Sequence, residues 1–183
     1  MEKACVSKML GRYENFPTSI QGFARFTYPS STQTLQVCIA QVLYKLNKQT
    51  LDMKTLTKAS PTNCAVNFEF GVADGDTFNF LDEEELKRLE NTLKEQALRI
   101  LDIFCAARYQ ITEAHGKRRS LRSDYNMLRF AFYRKNMELF IYHERGIQRL
   151  PLEDLALFIK NQFNKELAYR QQKTLTLKRL HML

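Results

Sequence analysis

Cations and aromatic rings are the side chains of this sequence that could do chemistry together, and they gather in its second half. The segment His115-Gly116-Lys117-Arg118-Arg119-Ser120-Leu121-Arg122 brings Lys117, Arg118, Arg119 and Arg122 close together in a stretch read as a flexible loop. Such a loop can follow a phosphate backbone, each contact adding salt-dependent affinity, or it can grip an acidic protein surface. Charge runs also occur simply as solvated loops.

Further along, period-two alternation sets Leu128, Phe130 and Phe132 on one side of a strand and Arg129, Ala131, Tyr133 and Lys135 on the other. The following strand alternates Met137, Leu139 and Ile141 with Glu138, Phe140, Tyr142 and Glu144. Paired, the two polar-aromatic rows make a sheet face on which bases stack while cations meet phosphates. A helix laid over the same face would instead make Phe140 and Tyr142 core residues, and the sequence leaves both arrangements open. The candidate nucleic-acid-binding residues are Lys117, Arg118, Arg119, Arg122, Arg129, Tyr133, Lys135, Tyr142, Arg145 and Arg149.

Catalytic signals are sparse. His115, His143 and His181 have no metal-site spacing, and no phosphate-binding glycine loop, nucleophile elbow or H-E-x-x-H motif occurs. Tyr142-His143-Glu144-Arg145-Gly146 groups an acid/base candidate with a carboxylate and a cation, as metal-free phosphodiester cleavage could use. A lone histidine at a strand end is more often structural. Asp74, Asp76 and Asp82 to Glu85 form an acidic cluster that could hold a divalent cation, although turn and helix-cap chemistry already explains nearly all of it. No catalytic residue, metal ligand or cofactor is assigned, and a non-enzymatic protein is expected.

The charge distribution points the same way. Residues 1–107 carry 12 Lys and Arg against 13 Asp and Glu, whereas residues 108–183 carry 16 against 7, so the net +8 is wholly C-terminal. Clustered cations imply a polyanion or an acidic protein as partner. Cys5, Cys38, Cys64 and Cys105 lack metal or redox spacing, which favours reduced thiols and a cytoplasmic location. No apolar run reaches bilayer-spanning length, and Met1 to Leu10 has no signal-peptide core.

These residues need a scaffold, and 183 residues suffice for one α+β domain. Residues 1–20 read as a lead-in with a short helical turn near the start. Residues 22–111 read as a strand from Gly22 to Tyr28, a helix over Ser31 to Asn47 and a connection over 48–63. They continue as a hairpin turning at Asp74-Gly75 and a long helix from Asp82 to about Gln110. Residues 124–170 give the second hairpin and an amphipathic helix after Pro151; residues 171–183 form a basic tail, either helical or an edge strand. The order β-α-β-β-α-β-β-α predicts a mainly antiparallel sheet with helices on one face, and its first six elements have the order of the ferredoxin-like βαββαβ motif. The two hairpin–helix units form a weak internal repeat, Phe68-Glu69-Phe70 matching Phe130-Ala131-Phe132. The functional expectation is RNA or single-strand binding through the basic half. Docking of an acidic protein partner, as an assembly factor or regulatory subunit, is the alternative, and a small nuclease or transferase is the third reading.

Overall fold

The computed structural model describes residues 9–183. Cys5, the short helical turn read near the start and most of the Met1 to Leu10 segment lie outside the described residues. In chain order the elements are β1 (Gly22–Thr27), α1 (Thr32–Leu46), β2 (Thr50–Asp52), a 3-10 turn (Met53–Thr55), β3 (Cys64–Asp74), β4 (Thr77–Phe80), α2 (Glu83–Glu95), β5 (Ile100–Thr112), β6 (Arg118–Ser120), β7 (Asp124–Tyr133), β8 (Asn136–Arg145), α3 (Leu152–Tyr169) and β9 (Thr176–Met182). The strands form one open sheet in the order β2-β3-β5-β7-β8-β1-β9, with β4 paired to β3 and β6 to β5. Every pairing between named strands is antiparallel.

One face of the sheet is apolar and carries all three helices. Phe26, Phe68, Phe70, Ile103, Leu128, Phe130, Leu139 and Ile141 point into a buried cluster with Leu35, Ile39 and Leu43 of α1, Leu89 and Leu93 of α2, and Leu155, Ile159 and Phe163 of α3. Phe68 stacks between Phe70 and Phe158 at centroid distances of 5.5 and 5.6 Å, and Phe130 meets Phe163 at 6.0 Å. Truncating such a ring to Ala would cost about 3–5 kcal/mol, because the transfer energy is lost and a cavity remains.

Local sequence sets most boundaries. The Ser31 side chain accepts from Thr34 N at 3.1 Å and starts α1. Asn47 ends it, donating from Nδ2 to the carbonyls of Phe70 and Leu81 while its Oδ1 accepts from Phe70 N at 2.7 Å. Asp82 caps α2 by accepting from Glu85 N at 2.9 Å.

The long second helix does not extend to Gln110. It stops at Glu95, and residues 100–112 are the central strand β5. Leu101, Ile103, Cys105, Ala107 and Tyr109 all face the helices, a period of two. The strand hid because its other face is also covered in places, Asp102 and Ala106 being buried, so polar residues do not alternate cleanly. The buried Gln36 side chain fixes the transition: its Nε2 donates to Leu98 O at 2.6 Å and its Oε1 accepts from Leu98 N at 2.9 Å. The connection over 48–63 contains β2, the basic tail contains the edge strand β9, and the element order therefore differs from β-α-β-β-α-β-β-α. The pairing does not show the ferredoxin-like relation either: β1 lies between β8 and β9 and pairs antiparallel with both.

Of the two arrangements left open for the second face, an exposed surface or a covering helix, the helix is not found among the described residues. Instead, residues 9–20 cross part of it. Gly11 N donates to Ala73 O at 2.7 Å, Asp102 N to Gly11 O at 2.6 Å, and Tyr13 N to the Asp102 carboxylate at 2.8 Å. No helix among the described residues lies over the remainder, mainly on β7, β8, β1 and β9.

Candidate nucleic-acid interface

Register determines which side chains share this second face. Asp102 pairs with Arg129, Arg129 with Phe140, Phe140 with Phe23 and Phe23 with His181. One row along, Ile100, Ala131, Glu138, Arg25 and Arg179 align in the same way. Phe104, Met127 and Tyr142 form the row on the other side. Because alternate residues of a strand share a face, these rows lie together, opposite the helices.

The rings and cations of this face touch. Phe23 and Phe140 pack at 5.3 Å, and the guanidinium groups of Arg25 and Arg179 lie 5.7 and 5.9 Å from the Phe23 ring centre. The Arg145 guanidinium sits 4.5 Å from the Tyr125 ring centre, and Tyr125 continues to Phe104 at 6.1 Å and Phe78 at 5.5 Å beyond. Phe23, Phe104, Tyr125, Phe140 and Tyr142 are each half-buried, with ring surface still accessible. Arg25 meets the Glu138 carboxylate at 3.6 Å, and Arg108 binds Glu69 with both Nε and Nη2.

The residues expected at the interface are distributed unevenly. Tyr142 and Arg145 lie on this face. Arg129 belongs to it by register, but its Nε and Nη2 each bond the buried Asp102 carboxylate at 2.8 Å, and the Phe16 ring sits over it at 4.3 Å. Its guanidinium is thus committed beneath the N-terminal crossing. Tyr133 and Lys135 lie at the far end of the second hairpin, where Arg134 stacks on Tyr133 and Lys135 Nζ donates to Ser30 O at 2.6 Å.

The basic segment is not a free loop. Glu113 N donates to Lys117 O and Gly116 N to Glu113 O, Gly116 taking a φ of +76°, so the chain turns tightly into β6. Arg118 pairs with Thr112 and shares the side of Gln110 and Arg108. Arg119 points the other way and meets Glu113 at 3.1 Å. Lys117 and Arg122 flank β6 and are exposed.

Arg149 is remote from the open face. It lies by the ring of the core residue Tyr109, in a turn organised by the buried Asp124. That carboxylate accepts from Tyr109 Oη at 2.8 Å, Gln148 N at 2.8 Å and Arg149 N at 2.7 Å. Burial, then the Asp124 acceptor, raise the Tyr109 phenol above its ordinary value.

His143 is held by its surroundings: Nδ1 lies 2.9 Å from Asn126 Oδ1 and Nε2 lies 3.0 Å from Gly146 O. With both nitrogens engaged, no ring nitrogen is left for a substrate proton, so the geometry favours a structural role. The three thiols among the described residues are poor nucleophiles, because burial pushes Cys38 up to about 11 and raises Cys64 and Cys105 as well. In the acidic cluster, Asp74 pairs with Arg88 at 2.8 Å and Asp82 caps α2.

Sequence reasoning missed Phe23, Arg25, Tyr125, Arg179 and His181. The alternation of Phe23 and Arg25 with Ala24 and Phe26 was a readable signal. The contribution of β9 was not readable, because a short tail does not disclose its partner strand. Compared with protein-family models, curated proteins and solved structures, the chain has no match.

Proposed function

We propose that the part of the sheet face left open by residues 9–20 binds single-stranded nucleic acid, RNA foremost, as a non-enzymatic binding surface. The observation that carries this reading is the in-register mixture of half-buried rings and cations. Arg145 lies on Tyr125, Tyr142 is next to it on β8, and Phe140 and Phe23 lead to Arg179 and His181 at the edge. Rings accept bases of any sequence and the cations meet phosphates. From β5 to β9 the sheet spans four strand steps, about 19 Å. That width suits the two or three bases that sheet-surface RNA readers stack. The buried, unbridged thiols Cys38, Cys64 and Cys105 support a reducing compartment such as the cytosol.

Filter binding of the full chain to single-stranded RNA across a salt series tests the proposal. Three to four phosphate contacts, from Arg145, Lys178, Arg179 and Arg118, give a log–log slope of about −2 to −3. Tyr142→Ala with Tyr125→Ala should weaken binding about tenfold or more, since each stacked base contributes about 1–3 kcal/mol. No binding at low salt, or undiminished binding by the double variant, would overturn the reading.

The outer edge of β9 favours a second reading. No named strand pairs with its far side, and it displays Lys178 and Arg179, so an extended acidic segment of a protein partner could add as a further strand. Binding of a poly-glutamate peptide by a chain that ignores RNA would select this alternative.

A further inference from the structure

A cavity of about 680 Å³ opens where the ends of β1, β8 and β9 meet, lined by Thr27, Arg134, Lys135, Asn136, Gln172 and Lys173 among others. Its lining includes three cations and no carboxylate. Hydroxyl and amide groups complete it, with Thr174 and Thr176 joining Thr27, Asn136 and Gln172. The volume lies within the range of small-ligand sites.

The backbone around this cavity is strained where the cations sit. Arg134 and Lys135 form the two-residue turn between β7 and β8 with φ values of +45° and +63°. A two-residue hairpin turn of this hand ordinarily takes Asn-Gly or Gly-Gly, because a side chain at positive φ is disfavoured. Gln171, at the end of α3 beside the cavity, has φ +57° where glycine or asparagine is usual. Of the five non-glycine residues with positive φ among the described residues, two thus line this pocket and a third adjoins its lining residue Gln172. Strain held in one place, on residues carrying charge that Asn-Gly would lack, points to a use for the charge.

The remaining bonding capacity is specific. Lys135 Nζ spends one donor on Ser30 O, leaving two of an ammonium's three. Arg134 stacks on Tyr133 at 5.2 Å, which leaves its N–H edge free to bond. Gln172, which also lines the cavity, has a buried Oε1 with no hydrogen-bond partner, so its amide is not locked in place by a bond to that oxygen. Three cations among hydroxyl and amide groups, with no carboxylate in the lining, suit a tetrahedral dianion.

We propose that this pocket binds a phosphomonoester group, carried by a small free ligand or by the 5′ end of a strand. It adjoins the open face, since Thr27, Asn136 and Thr176 are paired residues one row beyond Arg25, Glu138 and Arg179. It does not depend on the face binding RNA.

The test uses the full chain and three probes: inorganic phosphate followed by NMR titration, and a short single-stranded RNA carrying either a 5′-phosphate or a 5′-hydroxyl. The variant Arg134→Asn with Lys135→Gly supplies the preferred turn while removing both cations, so it should fold with a melting temperature at least equal to the parent. Saturable phosphate shifts at Thr27, Asn136 and Lys173 support a free ligand; tighter binding of the 5′-phosphorylated strand supports a strand end. In either case the double variant, and Lys173→Ala independently, should reduce that phosphate-dependent component, the double variant by about tenfold or more. Absence of both effects, or their survival in the double variant, would overturn the proposal. Equal binding of both strands would leave the open face as the RNA site and exclude the pocket from strand recognition.

Discussion

Replacing Arg129 by Ala should destabilise the fold far more than it weakens the proposed RNA binding. The Asp102 side chain is fully buried and takes two 2.8 Å bonds from Arg129, whose side chain is 21% exposed. Without the guanidinium, that carboxylate keeps only the Tyr13 N–H at 2.8 Å. Breaking a buried pair from one side costs about 3–5 kcal/mol, and the partial exposure of Arg129 places the loss near the lower end, about 3 kcal/mol. For a chain of this size about 3 kcal/mol lowers the melting temperature by about 6–12 °C, readable by calorimetry or thermal circular dichroism. The paired replacement Asp102→Leu with Arg129→Leu removes both charges together and should recover most of the loss. RNA affinity of Arg129→Ala, measured well below its transition, should stay within about threefold of the parent. Two results would refute this reasoning: a loss under about 1 kcal/mol, or a fall in affinity as large as that of Arg145→Ala. The second would show that the guanidinium leaves Asp102 to meet the ligand.

Gly146→Ala should cost about 2 kcal/mol or more, because Gly146 has φ +114° and an added Cβ would collide with the Asp124 carboxylate and the Ser123 carbonyl. Urea titration measures it, and a loss below about 0.5 kcal/mol would mean the turn relaxes freely. Burial alone would push the Glu166 carboxyl up, but hydrogen bonds from Arg170 and Lys45 outweigh it and leave Glu166 below its ordinary 4.5. A depressed folded value contributes stability that is present above the unfolded value and is lost as pH falls through the folded one. The melting-temperature difference between the parent and Glu166→Gln should therefore be seen at pH 7 and shrink as the pH falls from 4.5 through the lowered folded value. A gap that stays constant as the pH is lowered to the acid limit of folding would assign the effect to packing.

The paired hairpins show how local signals and tertiary placement divided the fold. Asp-Gly at the first turn, the alternation of Phe68, Phe70, Phe130 and Phe132, and the Asp82 cap with its Glu85 partner are short-range features, and each element they mark is present. Both hairpin–helix units also end in a strand, β5 and β9, but the strands go to different places. β5 pairs with β3 of its own unit, whereas β9 passes beyond β8 to the far side of β1. No local pattern encodes that choice.

The candidate site divides in the same way. Alternation alone determined that Tyr142 and Phe140 oppose Leu139 and Ile141, and composition alone determined that the C-terminal half is basic. Only the tertiary structure decided which cations are available. The ion pair with Asp102 binds Arg129 under residues 9–20, and Glu113 engages Arg119. Arg25 and Arg179, far apart in sequence, become neighbours through one β1–β9 register. The physical reason is range: propensity, capping and periodicity act over a few residues, whereas strand pairing and charge pairing join segments brought together only when the whole sheet has formed.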